Sequence, residues 1–272
     1  MIELPEALTL SRQLQSAVAG KTVAAVLPPT RPHRFCFFDG DPAAYDAALR
    51  GRSVVSAEGF GIFVELLFSE GKRLCLNDGV NVRLMPRPRA PGDYQLLLCF
   101  EDGDALVFTV AMYGSILLHE GGLDNPYYEK SRRAVSPFSP EFAAHFCSVL
   151  AESRPTLSAK AFLATEQRFP GIGNGTLQDI LFAARIHPKR KIASLTGDER
   201  ERLAACTASV LGEMMRLGGR DTEKDLFGNP GGYQTRMSKR TLAGGCPACG
   251  GPITKEAYLG GAVYYCPRCQ GL

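Results

Sequence analysis

Near its C-terminus the chain carries two cysteine motifs, CPAC at residues 246–249 and CPRC at residues 266–269. Gly260-Gly261 lies between them and is suited to the turn of a β-hairpin. Each motif can place two thiolates on one tetrahedral ion, and a site of four thiolates has no open coordination position. Free core thiols would not explain two such motifs. The pattern therefore predicts one structural Zn²⁺ bound by four ligands: Cys246, Cys249, Cys266 and Cys269.

The length of the chain is that of a protein with two domains in addition to the cysteine hairpin, and its composition is that of a globular protein. The chain has 272 residues, of which 45% are hydrophobic and 22% charged. No apolar run approaches the roughly 20 residues that span a bilayer, and no signal peptide pattern opens the sequence. Nine cysteines, with four grouped in the two motifs, suit a reducing compartment better than a disulfide framework. We therefore expect a cytoplasmic protein with no membrane partner.

The charge is divided unevenly along the chain. Residues 1–150 hold 14 Lys and Arg against 17 Asp and Glu, whereas residues 151–272 hold 17 against 11. A basic C-terminal half favours a polyanionic partner, although a modest basic excess is also common on solvated surfaces. The charge pattern therefore permits nucleic acid binding and does not by itself require it.

The first half of the chain has the pattern of a leading helix followed by an all-β domain. Apolar residues recur at helical spacing from Pro5 until Gly20. Short β-type runs separated by Gly, Asp and Pro then continue to about residue 120, with the spacing of a sandwich or barrel. The clearest runs are 23–27, 35–38, 63–68, 94–100, 105–110 and 115–119.

The second half has a helical pattern. Residues 121–138, rich in Pro and charge, look like a linker, and amphipathic segments follow at 140–150 and 158–167. Thr196 with Glu199 in the capping-box position begins a further helix that runs to Leu217. Together the two halves predict an α+β fold. Residues 218–240, which are long and rich in Gly, are either a disordered connector or a loop over the binding site.

A glycine turn in the helical half is a candidate anion site. Gly171 and Gly173 permit a tight turn, and Asn174 stands where the next helix begins. Free N–H groups at a helix N-terminus can bind a phosphate, although Asn174 can also simply cap its own helix. The basic triplet Lys189, Arg190 and Lys191 follows this helix and is either a phosphate contact or a solvated face.

These motifs, with the opening residues MIELPE, resemble the formamidopyrimidine-DNA glycosylase / endonuclease VIII family of helix–two-turn–helix DNA glycosylases. The resemblance covers the whole chain. It implies an N-terminal β-sandwich catalytic-type domain over residues 1–125, a helix–two-turn–helix DNA-binding domain over residues 126–240, and a zinc finger (a zinc-ribbon β-hairpin) over residues 241–272. It also implies a monomer that works on double-stranded, damaged DNA in the cytoplasm, as in bacteria.

The resemblance also assigns roles to single residues. Members of the family flip a damaged base out of the duplex, and their N-terminal proline, exposed when Met is removed, attacks C1′ of the sugar. Glu3 matches the neighbouring glutamate that handles protons as acid or base. Glu6 matches the acid that supports the N-terminus, and Asn174 matches the asparagine that holds a flanking phosphate. For Glu3, the simpler interpretation is an acid stabilised by a helix dipole.

The chain departs from the family at the positions of its amines. Ile2 stands in place of the proline, so that the α-amine of Met1 is the remaining candidate nucleophile. Ile62 stands where the family has a lysine, and Gly261 stands where the finger has an arginine. The loop that fills the gap left by the flipped base is replaced by one that holds Met112 and Tyr113, which can still wedge and stack.

The sequence thus predicts a base-excision-repair DNA glycosylase, an N-glycosyl hydrolase with Glu3 as its acid or base. The associated abasic-site lyase step lacks its usual amines. The alternative is a non-catalytic protein of the same fold that binds damaged DNA and recruits others. A zinc-ribbon adaptor between proteins is a third interpretation, which predicts no affinity for DNA.

Overall fold

The computed structural model describes all 272 residues and begins with the predicted helix, α1 (Leu4–Val18). Glu3 is the N-cap, and Glu6 completes a capping box. Pro5 lies in the first turn, where its missing N–H costs nothing. The apolar face of α1 is buried, and the helix ends before Gly20, whose φ of 84° favours glycine.

The β-domain is a sandwich of two sheets, as predicted. One sheet has the strand order β1-β7-β8-β6 and the other β2-β9-β5-β4-β3, with a single parallel pair between β2 and β9. The short helix α2 (Tyr45–Leu49) follows β2. The strands are β1 (Val23–Leu27), β2 (Cys36–Phe38), β3 (Val54–Phe60), β4 (Phe63–Phe68), β5 (Arg73–Asn77), β6 (Val80–Pro86), β7 (Leu96–Phe100), β8 (Asp104–Val110) and β9 (Gly114–His119).

The six runs quoted from the sequence are all strands, with limits that differ by two residues at most. The structure adds β3, β5 and β6, in which polar or small residues interrupt the apolar pattern. Helix α1 packs on the sandwich, and its apolar face belongs to a core cluster of 24 buried residues. A Cβ on Gly59 would overlap the carbonyl of Ala7, so glycine lets β3 approach α1 closely.

The helical domain contains five helices: α3 (Pro126–Arg132), α4 (Phe142–Glu152), α5 (Ala159–Ala164), α6 (Thr176–Ala183) and α7 (Gly197–Arg216). The capping box of Thr196 and Glu199 is present. Helix α3 lies in the segment predicted as a linker, so this connection is partly helical. A second core cluster of 21 buried residues fills the domain, and it includes Leu4 of α1. Helix α1 therefore contributes to both cores.

A hairpin of β10 (Thr254–Tyr258) and β11 (Gly261–Tyr265) follows, with Gly260 in its turn as predicted. It packs on α6, because the side chain of Gln178 accepts the N–H of Tyr264 and donates to the carbonyl of Ala262. No helix in this structure has the length and apolar character needed to cross a bilayer.

Helix α3 is fixed to the sandwich by one buried carboxylate, Glu65 of β4. Its oxygens accept from Tyr128 at 2.7 Å and from Arg73 at 2.6 Å, and they also bind His119 and Arg132. Burial opposes ionisation of Glu65, but the hydrogen bonds and Arg132 outweigh it and lower the pKa to about 2. The connection between the domains therefore depends on a charge that persists at neutral pH.

We predict that Glu65→Gln lowers the free energy of unfolding by about 3–5 kcal/mol, because it removes the buried charge that Arg73 and Arg132 share. In the native protein this contribution is complete above the ordinary pKa of a glutamate and is lost as the pH falls toward about 2. Urea unfolding between pH 3 and pH 7 measures both effects. Glu58→Gln, which removes an exposed partner of Arg132, is the control and should cost about 1 kcal/mol or less. Equal losses in the two variants would contradict the prediction.

Candidate active-site cleft

The carboxylate of Glu3 lies at the contact between the β-domain and the helical domain. It is 3% exposed and caps the N-terminus of α6 from outside that helix. The N–H groups of Gly175 and Thr176 both donate at 2.8 Å, and that of Gly173 donates at 3.1 Å. An anion at a helix N-terminus is favoured by the free N–H groups and by the helix dipole. In this structure the glycine turn therefore binds the carboxylate of Glu3, and its contact with a phosphate stays a prediction.

These contacts hold Glu3 in its ionised form. Burial opposes ionisation, but Arg220 and the hydrogen bonds from Thr176 and Gly175 outweigh it, so the pKa of Glu3 lies below its ordinary value. The acid/base role of Glu3 stays a prediction. The contacts by themselves favour a fixed negative charge, because a proton on the carboxyl would weaken its hydrogen bonds and remove the counter-charge of Arg220.

Arg220 is the residue of this cluster that the sequence did not single out. It is 2% exposed and is bound to both acids of α1. Its Nε and Nη2 donate to the two oxygens of Glu6 at 3.0 and 2.8 Å, and its Nη1 lies 3.5 Å from Glu3. Burial opposes the charge of Arg220, but Glu3 and Glu6 outweigh it and raise its pKa. In the sequence Arg220 is one of several basic residues in a Gly-rich segment, with no local signal of burial.

The segment 218–240 is therefore not a disordered connector. Arg220 binds α1, and Gln13 of α1 accepts the N–H of Leu226 at 3.0 Å and donates to Asp225. At the other end, Asp179 of α6 accepts the N–H of Met237 at 2.7 Å. The segment thus crosses from one domain to the other and covers the acids of α1.

The N-terminus lies beside these acids. The α-amine of Met1 forms an ion pair with Glu223, and the carbonyl of Met1 accepts from Arg220 at 3.4 Å. The side chain of Ile2 is 3% exposed and belongs to the sandwich core, so it faces away from any ligand. Ile62 is also buried, in a cluster with Phe63 and Tyr128. Ile2 and Ile62 stand at the two positions where the family has an amine, and both are buried apolar side chains here.

Met112 and Tyr113 extend from the loop between β8 and β9. Their exposed fractions are 63% and 43%, so both are available to a partner. The carbonyl of Tyr113 accepts the N–H of Gly79 at 3.0 Å, which places this loop beside the turn that holds Asp78. Burial, with the charges of Asp78 and Glu3, raises the pKa of Tyr113. The structure thus brings the two wedge candidates to the edge of the acid cluster. Contact of either one with DNA stays a prediction.

The turn of the four-cysteine hairpin packs against Asn174. The side-chain amide of Asn174 donates to the carbonyl of Ala262 at 3.0 Å, and its carbonyl oxygen is buried with no donor. A Cβ on Gly261 would lie 3.3 Å from the Asn174 side chain, which leaves little room for a larger residue in this arrangement. Asn174 therefore joins α6 to the hairpin. The N–H of Gly173 is occupied by Glu3, so a phosphate contact by either residue stays a prediction.

Two members of the basic triplet are used inside the protein. Lys189 forms an ion pair with Glu256 of β10 at 2.6 Å, and Arg190 forms one with Glu199 of α7 at 2.6 Å. Only Lys191 is exposed without an ion pair in this structure. Lys189 thus connects the helical domain to the hairpin, Arg190 is used within the helical domain, and Lys191 is the one free cation of the triplet.

The four cysteines of the two motifs converge, as predicted. Their sulfur atoms all lie within 4.8 Å of one another, and the pairs Cys246–Cys269 and Cys249–Cys266 are 3.8 and 3.5 Å apart. Four thiolates about 2.3 Å from one tetrahedral ion lie about 3.8 Å apart, so this group can hold a metal ion.

A large cavity of about 540 Å³ opens on another side of α1. It lies between Leu4 and Leu8 of α1, the β3–β4 turn and α3, and neither Glu3 nor Met1 lines it. The candidate site residues Glu3 and Met1 therefore lie outside this cavity, between the N-terminus and α6.

Comparison with known proteins identifies relatives along the whole chain. No family model matches it. A formamidopyrimidine-DNA glycosylase of Thermus thermophilus is 31% identical, over 100% of this chain and 99% of the relative. One of Symbiobacterium thermophilum is 33% identical, over 99% and 89%. The solved MutM (Fpg) protein of Thermus thermophilus is 28% identical, with a TM-score of 0.79 over 99% of this chain and 98% of that one.

A structure of Lactococcus lactis Fpg in complex with DNA that contains an abasic site shares the fold. Its TM-score is 0.85 at 23% identity, over 99% of this chain and 100% of that one. The sandwich, the helical domain and the four-cysteine hairpin thus define a protein of the helix–two-turn–helix glycosylase class. The full-length relatives are more specific. The chain belongs to the formamidopyrimidine-DNA glycosylase family.

The contact between Arg220 and α6 yields a prediction. A Cβ on Gly175 would overlap Nη1 of Arg220 and lie 2.9 Å from the carboxylate of Glu3. We expect Gly175→Ala to displace the guanidinium and to lower the free energy of unfolding by about 1–3 kcal/mol. Gly197→Ala, where a Cβ meets nothing within 4 Å, is the matched control and should be neutral or stabilising. Chemical denaturation of the two variants measures the difference, and equal stabilities would contradict the close packing of Arg220.

Proposed function

We propose that this chain is a base-excision-repair DNA glycosylase that binds damaged duplex DNA, flips a damaged base and cleaves its N-glycosidic bond. The observation that carries the proposal is 31% identity over the whole chain to a relative named formamidopyrimidine-DNA glycosylase. The solved relative from Lactococcus lactis, in complex with abasic-site DNA, supports the same class of partner. A cytoplasmic location with the DNA and a monomeric state are part of the proposal.

The surface around the cleft supports binding of a duplex. Met112 and Tyr113 are exposed at its edge and can stack on unpaired bases or fill the gap left by a flipped one. Asn174 lies just before α6 and Lys191 beyond its end, and we propose that they hold the phosphates beside the lesion. Lys189 and Arg190 are already paired, so we give them a smaller share of the affinity.

We propose zinc as the ion of the four-cysteine group, in a closed structural site. The support is the donor set, because four thiolates at tetrahedral spacing suit Zn²⁺. The ion would tie the two motifs together and so hold the hairpin turn against Asn174. A closed site offers no position to substrate, so the cysteines have no part in the chemistry of the base.

We propose hydrolysis without a covalent intermediate as the main reaction. The secondary amine of an N-terminal proline is missing, and Ile2 is part of the core. The α-amine of Met1 is engaged in an ion pair with Glu223, so it is not free to attack a sugar carbon. Glu6 and Arg220 then support the N-terminus and the position of Glu3.

One observation favours a second candidate function, a non-catalytic protein that binds damaged DNA. Glu3 already has three N–H donors and Arg220 around its carboxylate, which is what a purely structural cap requires. Both functions give DNA binding that weakens with salt, since phosphate contacts release counterions. Release of a base therefore has to distinguish them.

The test is release of bases from duplexes that each contain one lesion, over a broad panel of oxidised and alkylated purines and pyrimidines. We expect the wild type to release at least one, and Glu3→Gln to lower the rate about 100-fold or more while DNA affinity changes little. Glu101→Gln, an exposed acid outside the cleft, is the control and should match the wild type. No release by the wild type from any lesion would contradict the glycosylase and leave the binding protein.

The lyase step is tested by borohydride trapping on abasic DNA. We expect almost no covalent adduct from the wild type at pH 7, because the Met1 amine is ion-paired. Glu223→Gln frees the amine and should increase trapping several-fold. A strong adduct from the wild type that maps to Met1 would overturn this prediction and assign a Schiff base to the α-amine.

A further inference from the structure

Four carboxylates lie around the N-terminus, and three of them form hydrogen bonds or ion pairs with other groups of the protein. Glu3 is bound by the amides of α6, and Glu6 by Arg220. Glu223 is bound by the α-amine. The fourth, Asp78, has no hydrogen bond or ion pair to its side chain in this structure, although it is half-buried. Asp78 is therefore the one acid of the cleft that is free to accept a proton from a ligand or from water.

The backbone of Asp78 is held toward the N-terminus. It forms the turn between β5 and β6 with Gly79, and its φ of 49° is uncommon for a residue with a side chain. Its carbonyl accepts the N–H of Ile2 at 2.6 Å, which joins this turn to the start of α1. The carbonyl of Tyr113 accepts the N–H of Gly79 at 3.0 Å, which joins the turn to the loop that holds Met112 and Tyr113. An Asp residue adopts this left-handed conformation readily, so the two backbone contacts place Asp78 beside the N-terminus without strain.

The groups that face Asp78 set its charge. Burial raises the pKa of Asp78 to about 6; the α-amine of Met1 opposes this, and the charge of Glu3 adds to it. The charges of Asp78 and Glu3 also add to the effect of burial in raising the pKa of Tyr113, whose loop is joined to the Asp78 turn through Gly79. Arg220 is bound to Glu6, and Glu223 is bound to the α-amine of Met1. An acid that titrates near neutral pH can both take up and return a proton, whereas the contacts of Glu3 lower its pKa and favour its ionised form.

We propose that Asp78 is a catalytic residue of this protein and acts as the general base that activates water for cleavage of the N-glycosidic bond. This rests on the proposed function. The Asp78 carboxylate takes a proton from water, and the water oxygen forms a bond to C1′ of the sugar. The C1′–N bond breaks, its electron pair leaves with the base, and the proton held by Asp78 is returned to the departing base or to solvent. The products are the free base and an abasic site.

The division of roles follows from the contacts. Glu3 supplies a fixed negative charge near the positive charge that develops on the sugar, and it holds α6 against the N-terminus. Asp78 moves the proton. Two carboxylates in different environments can thus perform different tasks in one site.

The test compares base release by the wild type, Asp78→Asn and Glu3→Gln on the lesion that the wild type processes best, from pH 5 to pH 8.5. Asn tolerates a positive φ, so that Asp78→Asn keeps the turn and removes the acid. We expect the wild-type rate to fall as the pH drops below about 6. We expect Asp78→Asn to be slower by about 100-fold or more, without this inflection and with unchanged affinity for abasic DNA. Glu3→Gln should be slow but keep the inflection.

Asp198→Asn, an exposed acid in the first turn of α7, is the control and should behave as the wild type. If Asp78→Asn fails to fold, Asp78→Gly replaces it, because glycine also accepts the positive φ. A variant of Asp78 that is folded and releases the base at the wild-type rate with the same pH profile overturns the role of Asp78 alone. Absence of release by the wild type overturns the proposed function, and the role of Asp78 with it.

Discussion

The carboxylate of Glu3 is the contact on which the two domains and the cleft depend. Three amide groups at the start of α6 converge on it, and it is itself the N-cap of α1. One side chain therefore stabilises two helix N-termini that belong to different domains. Because the donors are rigid backbone groups, the carboxylate fixes both the distance and the rotation between the helices. The position of the Glu3 carboxylate relative to both helices is therefore fixed before any ligand binds.

Arg220 offsets the electrostatic cost of this arrangement. Two buried carboxylates on one helical turn would repel each other and lose their hydration, and each such loss costs several kcal/mol. The guanidinium lies between them and also reaches the carbonyl of Met1, so that the acids, the N-terminus and segment 218–240 form one unit. Gly175 leaves the space that the guanidinium occupies. The acids of α1 thus function with a partner that lies more than 200 residues away in the sequence.

The sequence predicted those features that local patterns encode. The four-cysteine group, α1, the capping box of α7 and six strands follow from spacing, caps and alternation, and the structure agrees with them. The sequence predicted a phosphate contact at the glycine turn, and only the fold reveals that Glu3 occupies its N–H groups. Arg220 and Asp78 could not be found in this way. Arg220 was recognised because it is buried and bound to two acids, and Asp78 because it is partly buried and has no bound partner. Both conditions arise only when segments distant in the sequence pack together, so no local sequence pattern predicts them.

The cap on α6 has a consequence for the order in which this protein folds. Glu3 is separated from its amide partners by 170 residues or more, so the β-domain leaves the ribosome long before α6 exists. Until then, Glu3 caps only α1, and the N–H groups at the start of α6 are not yet present to bind its carboxylate. The cleft is therefore completed in a late docking step, which joins two largely preformed units at the cost of closing a very long loop. An isolated β-domain would carry the acids of α1 but never the cleft.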